Sequence, residues 1–142
     1  MIRRASPDDA AAISGVFVRA RDEMAYLPRI AAGVRPRLGG WFLERGELWV
    51  AEEDGRVVGF TGLEGSELSH LYVDPWAQDR GVGSALLDWA KSLRPEGIEL
   101  WVFQKNDGAR RFYERHGFRL VRLTDGAENM EREPDARYEW RP

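Results

Sequence analysis

Apolar residues recur at helical spacing in several parts of the chain. In Gly81–Leu93 they stand at i, i+3, i+4, i+7 and i+8, which predicts an amphipathic helix. Asp107–His116 carries a second such stripe, and Gly117 follows it at the usual position of a capping glycine. Near the N-terminus, Ser6-Pro7 is typical of a helix start and precedes a third stripe. Arg21–Leu43 is interrupted by Pro and Gly, so a loop and an irregular second helix are expected there.

Shorter apolar runs bounded by turn residues predict strands. The Asp-Gly signal within Glu53–Arg56 joins two of these runs, and Glu64-Gly65-Ser66 joins the second to a third, which indicates an antiparallel meander. Ile98–Phe103 is largely apolar and is predicted to be buried on both faces. Thr124–Asp135 is predicted to be a long polar loop. The predicted strands are Met1–Arg4, Leu48–Ala51, Val57–Leu63, Glu67–Val73, Ile98–Phe103, Phe118–Leu123 and Ala136–Trp140.

The resulting order, β-α-α-β-β-β-α-β-α-β-β, indicates an α/β fold with a mixed sheet and helices on both faces. A length of 142 residues without repeats or a linker favours a single domain spanning residues 1–142. The chain is 43% hydrophobic and 32% charged, which is typical of a globular protein. It contains no Cys, which excludes disulfides and thiolate chemistry, and only His70 and His116 as imidazoles, so no metal site is expected.

Charge and hydropathy restrict the partners. The net charge of −3 lacks the basic footprint of a typical nucleic-acid binder, so no nucleic-acid partner is expected. No apolar run reaches the length of a membrane helix, and Met1–Ala10 lacks the apolar core of a secretory signal. These features favour a cytoplasmic enzyme or binding domain with no membrane partner.

A glycine-containing loop between a predicted strand and a predicted helix is the first candidate site. It follows Leu71–Val73 and reaches Ser84, with Gly81 and Gly83 at the start of the helix. The first amides of a helix have no intrahelical acceptor and lie at its positive end, so this loop is suited to a pyrophosphate. The alternative is that the glycines serve only a tight turn. The spacing excludes a P-loop and does not favour a dinucleotide-binding unit, which has its glycines in an initial βα turn.

A second motif follows the next predicted strand, and the pair resembles a known family. Gln78-x-x-Gly81-x-Gly83 and then Asn106-x-x-Ala109-x-x-Phe112-Tyr113-x-x-x-Gly117-Phe118 resemble motifs A and B of the GCN5-related N-acetyltransferases. The order of the predicted elements is similar to that fold along nearly the whole chain. The resemblance implies an enzyme that uses acetyl-CoA as co-substrate, and in this family homodimers are frequent.

The resemblance also implies roles for individual residues. Backbone groups at Leu71–Val73 would pair with the pantetheine arm, Asn106 would hydrogen-bond to it, and Tyr113 would protonate the leaving sulfur as general acid. On spacing alone, a core aromatic residue is the favoured interpretation of Tyr113, and the resemblance reverses that preference. The residues assigned to the coenzyme are Leu71, Tyr72, Val73, Gln78, Asp79, Arg80, Gly81, Val82, Gly83, Ser84, Asn106, Ala109 and Tyr113. Asp79 departs from the family pattern, which often has a basic or small residue beside the phosphates.

The sequence leaves three candidates for the general base, which are Glu67, His70 and a water relay. An alkylamine with a pKa of ~10.4 needs a base far more than an α-amine with a pKa of ~8. Glu67 stands where the histone-acetylating branch has its glutamate, and His70 has the more suitable ordinary pKa, about 6.5. On a regular strand the two side chains would point to opposite faces, so at most one would face the acceptor. The alternative is that neither has a chemical role.

The acceptor is not identified by the sequence. The resemblance implies that Arg21–Gly40 and Thr124–Asp135 shape its pocket, with Tyr26, Trp41 and Trp101 as possible walls, although core packing is the expected role of Trp101. The acidic run Glu128–Glu133 would attract a cationic amine or be only solvated surface. The sequence therefore predicts an acetyl-CoA-dependent N-acetyltransferase acting on a primary amine. The alternative is a non-catalytic acyl-CoA-binding or protein-interaction module, and a tRNA-directed transferase is disfavoured by the negative charge.

Overall fold

The computed structural model describes all residues from Met1 to Pro142. Its helices are α1 (Ala10–Asp22), α2 (Leu38–Leu43), α3 (Val82–Leu93) and α4 (Asp107–Arg115). Its strands are β1 (Ile2–Arg4), β2 (Glu47–Glu53), β3 (Arg56–Glu64), β4 (Glu67–Val73), β5 (Ile98–Phe103), β6 (Arg119–Leu123) and β7 (Asp135–Trp140). The order of helices and strands is the one predicted from the sequence.

The strands form one seven-stranded sheet in the order β1-β2-β3-β4-β5-β7-β6. All neighbouring strands are antiparallel except β4 and β5, which are parallel. The predicted mixed sheet is confirmed. None of the helices combines the length and apolar character needed to cross a bilayer.

Helices cover both faces of the sheet, as predicted. On one face, Phe17 of α1 packs against Phe42 of α2, with ring centroids 5.0 Å apart, and Phe42 packs against Phe60 of β3 at 5.1 Å. On the other face, Leu87 of α3 and Tyr113 of α4 belong to a cluster built on the central strands. The wholly buried members of the second cluster include Leu63, Ile98, Leu100 and Tyr138.

The predicted burial of β5 on both faces is wrong at Trp101. Leu100 is 1% exposed and packs under α3 and α4, whereas Trp101 on the opposite face is 41% exposed. No helix covers this part of the sheet, because β4 and β5 separate here and open a cleft. The expected core role of Trp101 is therefore also wrong.

The two parallel strands diverge almost from their first residues. Glu67 and Glu99 are their one paired position, supported by a hydrogen bond from the Glu99 amide to the Ser66 carbonyl (3.0 Å). Beyond this point β4 continues to pair with β3 and β5 with β7. The backbone edges that the two strands would have shared therefore face a gap.

A β-bulge in β4 changes which side chains share a face. Leu68 pairs with Leu63 and His70 pairs with Gly62, so Ser69 is an extra residue in β4. An extra residue reverses the alternation of side chains beyond it. Glu67 and His70 consequently lie on the same face of the sheet, and the expectation that they point to opposite faces is wrong.

Candidate active site

A single cleft of about 1520 Å³ occupies the gap between β4 and β5. Its floor is formed by residues 68–73 of β4 and 101–103 of β5. Its walls come from α1, α2, α4 and the start of α3, and the loop of residues 124–135 lies at one end. The cleft thus joins the glycine loop to the predicted acceptor segment in one continuous space.

The start of α3 presents free amides to this cleft. The Ala85 amide makes the first helical hydrogen bond, to the Gly81 carbonyl (3.0 Å), so the amides of Val82, Gly83 and Ser84 have no intrahelical acceptor. Gly81 has φ +84°, which favours glycine, and no atom lies within 4 Å of the place where its Cβ would stand. The geometry is that of an anion cradle open to solvent.

The end of β4 is fixed where the cradle begins. Asp74 is 1% exposed, and its carboxylate accepts hydrogen bonds from Arg19 of α1, with Nη2 at 2.6 Å and Nε at 3.0 Å. The Asp74 carbonyl accepts from the Ala77 amide (2.8 Å). The contact between Asp74 and Arg19 therefore holds the segment between β4 and the cradle against α1.

Of the three residues just before the cradle, Gln78 and Asp79 line the cleft and Arg80 does not. Gln78 Nε2 donates to the Val73 carbonyl (3.2 Å), which links the loop to the strand end. Asp79 is exposed, lines the cleft and has φ +63°. Arg80 does not line the cleft; its guanidinium lies 3.8 Å from the Glu53 carboxylate and rests near the ring of Trp76. The Arg80 side chain therefore lies outside the cleft lining, and its contact with the coenzyme stays a prediction.

The open edge of β4 faces the gap. The Asp74 amide donates to the Val58 carbonyl on β3 (2.8 Å). Since alternate residues of an antiparallel strand direct their amides and carbonyls to opposite sides, those of Val73 and Leu71 face β5 instead. An extended chain in the gap can pair with this edge as an added strand.

Asn106 caps α4 beside the gap. Its side-chain oxygen accepts a hydrogen bond from the Ala109 amide (3.1 Å), and its side-chain NH₂ group makes no hydrogen bond within the chain. Asn106, Gly108 and Ala109 all line the cleft. The Asn106 amide group can therefore donate to a carbonyl of a bound chain without losing its capping role.

Tyr113 lies at the floor of the cleft. It is 7% exposed, its ring packs against Phe112 and Phe118, and its hydroxyl makes no hydrogen bond within the chain. Burial raises the pKa of Tyr113 above its ordinary value, with a smaller contribution from Tyr72. Burial likewise raises the pKa of Tyr72 to about 12. Both hydroxyl groups are protonated at neutral pH and can act as donors in the cleft.

His70 lines the cleft at the base of α2. Its ring packs against Phe42 (4.6 Å between centroids) and Trp41 (5.8 Å), and its Nε2 is buried without a hydrogen-bond partner. Burial lowers the pKa of His70 to about 4, only partly opposed by the charge of Glu64. His70 is therefore neutral at pH 7 and keeps an unsatisfied ring nitrogen beside the cleft.

Glu67 lies outside the cleft lining, at the paired end of β4. Arg137 Nη1 donates to its carboxylate at 2.8 Å. Burial raises the pKa of Glu67, and the hydrogen bond and charge of Arg137 oppose this increase. The structure thus brings His70, and not Glu67, together with Tyr113 in the cleft.

The end of the cleft away from the cradle is aromatic and charged. Trp41 is 40% exposed with the Arg45 guanidinium 4.1 Å from its ring centroid, and Trp101 lies between Arg122 (5.3 Å) and Arg137 (5.0 Å). Trp41 and Trp101 line the cleft, whereas Tyr26 packs behind Phe103 and does not.

Acidic side chains also line the cleft. They are Glu23, directly after α1, and Asp125, Glu128 and Glu131 of the loop. Glu23, Glu128 and Glu131 take part in none of the ion pairs of the structure. Arg21 also lines the cleft and has its Nε buried without a partner. Arg21 and Glu23 belong to the segment Arg21–Gly40 that was expected to shape the acceptor pocket, but neither was singled out, because a charged residue at the end of an amphipathic helix is ordinarily a solvated one.

Known proteins share both the sequence pattern and this geometry. Residues 44–120 match the family described as the acetyltransferase (GNAT) domain. The peptidyl-lysine N-acetyltransferase YiaC of Escherichia coli (strain K12) is 40% identical over 81 residues, covering 56% of this chain and 55% of YiaC. The chain therefore spans about half the length of the curated relatives it first matches.

Two solved structures have the same fold. The solution structure of apo-form YjaB from Escherichia coli superimposes with a TM-score of 0.79 at 27% identity, covering 99% of this chain and 96% of YjaB. The PaiA N-acetyltransferase of Thermoplasma acidophilum in complex with coenzyme A gives a TM-score of 0.77 at 21% identity, covering 100% and 98% of the two chains. With both motifs in place around the diverging strands, the chain belongs to the GNAT acetyltransferase family.

Proposed function

We propose that this protein is an acetyl-CoA-dependent N-acetyltransferase whose single domain spans residues 1–142. The observation that carries the proposal is the set of free amides at the start of α3, next to the gap between β4 and β5. If these amides bind the diphosphate of the coenzyme, the attached pantetheine arm can extend along the backbone of Leu71 and Val73. The coenzyme A complex of the PaiA structure, which has the same fold, supports this assignment.

The reaction transfers the acetyl group directly in a ternary complex. The amine nitrogen attacks the thioester carbonyl, a C–N bond forms, and the C–S bond breaks as the tetrahedral intermediate collapses. An amide from the open edge of β4 stabilises the charge on the carbonyl oxygen. Tyr113 gives its hydroxyl proton to the departing thiolate and is reprotonated from solvent. Burial raises the pKa of Tyr113, and it would raise the pKa of a thiol bound beside Tyr113 in the same direction.

His70 is the base candidate that the geometry favours over Glu67. His70 lines the cleft and its buried Nε2 has no hydrogen-bond partner, whereas using Glu67 would require breaking the 2.8 Å contact with Arg137. Because the pKa of His70 is lowered to about 4, the ring is a weak base. Its role is to accept a hydrogen bond from the amine or from a water that carries the proton to solvent.

A cationic amine suits the carboxylates that line the cleft. Those of Glu23, Glu128 and Glu131 take part in no ion pair of the structure. A lysine side chain is such an amine, and the relative YiaC is named as a peptidyl-lysine N-acetyltransferase. The protonated amine would be attracted by these groups and would lose its proton to solvent through a water that is hydrogen-bonded to His70.

Thiol release measured over a panel of amines tests the proposed function. Lysine-containing peptides, diamines and neutral α-amines are offered with acetyl-CoA, and we expect turnover with cationic alkylamines. A non-catalytic acyl-CoA-binding module is the alternative on the same fold, and it would bind the coenzyme while releasing no thiol with any amine. Asn106 and Tyr113, both in the cleft, favour the enzyme.

A separate prediction concerns the contribution of the cleft's carboxylates to acceptor binding. The double variant E128Q/E131Q should raise KM for a cationic acceptor about fivefold with little change in kcat, because exposed charges contribute at most ~1 kcal/mol each. Salt should reduce the difference. E96Q, an exposed glutamate outside the cleft, is the matched control. A KM equal to that of the wild type at low salt would contradict a cationic acceptor.

A further inference from the structure

His116 connects the end of α4 to the cradle through two hydrogen bonds. Its Nδ1 lies 2.8 Å from the Phe112 carbonyl oxygen, and its Nε2 lies 3.1 Å from Ser84 Oγ. A carbonyl oxygen can only accept, so Nδ1 must carry a proton. The Phe112 contact therefore fixes the tautomer of the ring.

The tautomer determines the direction of the Ser84 hydroxyl. In the neutral ring Nε2 has a lone pair and no proton, so the Ser84 hydroxyl must be the donor in their contact. Ser84 is the third residue of α3 and lines the cleft, and its backbone amide is one of the free amides of the cradle. Its hydroxyl proton is directed at His116 and is not available to a phosphate.

We propose that His116 is a positioning residue that controls whether Ser84 donates its hydroxyl proton to the coenzyme diphosphate. When the ring binds a second proton, Nε2–H donates to Ser84 Oγ, and the hydroxyl is free to donate to a phosphate oxygen. Coenzyme binding and proton binding at His116 then favour each other by the same factor. The inference rests on the proposed function, since the diphosphate is that of acetyl-CoA.

The charged groups around the ring set the conditions for this linkage. From α3, Lys91 Nζ donates to the His116 carbonyl (2.5 Å), and Asp88 lies one turn beyond Ser84. From α4, Arg115 precedes His116 and lines the cleft. Trp140 of β7, whose ring Lys91 covers at 4.9 Å, contributes no charge.

Calorimetric titration of coenzyme A at pH 6 and pH 8 tests the proposal. We use the wild type, S84A and H116Q, because Gln does not titrate. We compare the increase in affinity from pH 8 to pH 6 among the three proteins. This increase should be about three- to tenfold larger for the wild type than for either variant, because one hydrogen bond to a phosphate contributes that much. The coenzyme's own phosphates titrate equally in all three experiments, so the comparison isolates the protein.

The outcomes separate this inference from the proposed function. The same pH dependence in all three proteins overturns the inference and leaves acetyl-CoA binding intact, whereas no binding at either pH overturns the proposed function itself. Nitrogen-15 spectra of the wild-type imidazoles at pH 8 give a readout that needs no variant. The chain has only two histidines, and His116 must show a protonated Nδ1. A protonated Nε2 would overturn the proposal.

Discussion

At the scale of single residues, burial keeps the titratable side chains of the cleft floor uncharged. It lowers the pKa of His70 to about 4 and raises the pKa of Tyr72 to about 12, and the pKa of Tyr113 rises as well. Near pH 7 the floor therefore consists of neutral donors and acceptors. The free amides of α3 and the carboxylates of Glu23, Asp125, Glu128 and Glu131 border the same cleft.

The hydroxyl of Tyr113 is predicted to contribute to chemistry and not to coenzyme binding. Y113F should lower kcat about 10²-fold, a value typical of losing one general acid. The dissociation constant of acetyl-CoA should change less than about threefold, since the ring and its packing remain. Both quantities come from steady-state thiol release and calorimetry on the same preparation. Equal turnover of the two proteins would refute the role of Tyr113 as acid.

His70 is predicted to make the fold sensitive to acid. The unfolded chain binds a proton at this residue below about pH 6.5, whereas the folded chain resists it until about pH 4. Stability should therefore fall as the pH decreases through this window, by at most ~3 kcal/mol from this group. Urea unfolding of the wild type and H70Q between pH 7 and 4.5 measures the effect. A variant that loses as much stability as the wild type would show that His70 is not its source.

At the scale of elements, the cradle depends on how α3 begins. Gly81 adopts the left-handed conformation, and the buried Asp74 carboxylate, held by Arg19, fixes the strand end before it. Predicted from the sequence alone, α3 and β4 were nearly correct at both ends, because their apolar stripes and the Gly and Asp-Pro signals are local. The Ser69 bulge was not predictable in this way, since it arises from the register against β3.

A glycine substitution tests the cradle against a control with the same backbone geometry. Gly81 (φ +84°) and Gly55 (φ +76°) both have positive φ and open space where a Cβ would stand, but only Gly81 lines the cleft. G81A and G55A should lose similar stability, about 1 kcal/mol, because both strain the backbone. Only G81A should weaken acetyl-CoA binding, by about tenfold, because only there do the strained amides contact the diphosphate. Equal affinity in calorimetry of the two variants would mean that the cradle lies elsewhere.

At the scale of the whole molecule, the site depends on contacts between distant segments, which the sequence pattern does not predict. The family motifs contain Gln78, Asn106 and Tyr113, and the structure brings all three to one cleft. Segments far apart in the chain determine the Arg80–Glu53 pair, the exposure of Trp101 and the carboxylates that Glu23 and the last loop contribute to the cleft. Local periodicity predicts which residues are apolar, but the divergence of β4 from β5 decides which of them border a cleft.

The central claim is that the free amides of α3 hold the diphosphate of acetyl-CoA. Amide nitrogen and proton chemical shifts, recorded while acetyl-CoA is added to saturation, observe those groups directly. We predict that the signals of Val82, Gly83 and Ser84 move most, as hydrogen bonds to phosphate oxygens form, while the hairpin amide of Gly55 does not move. A saturated spectrum in which the three amides keep their positions, or a protein that millimolar acetyl-CoA leaves unchanged, would contradict the account.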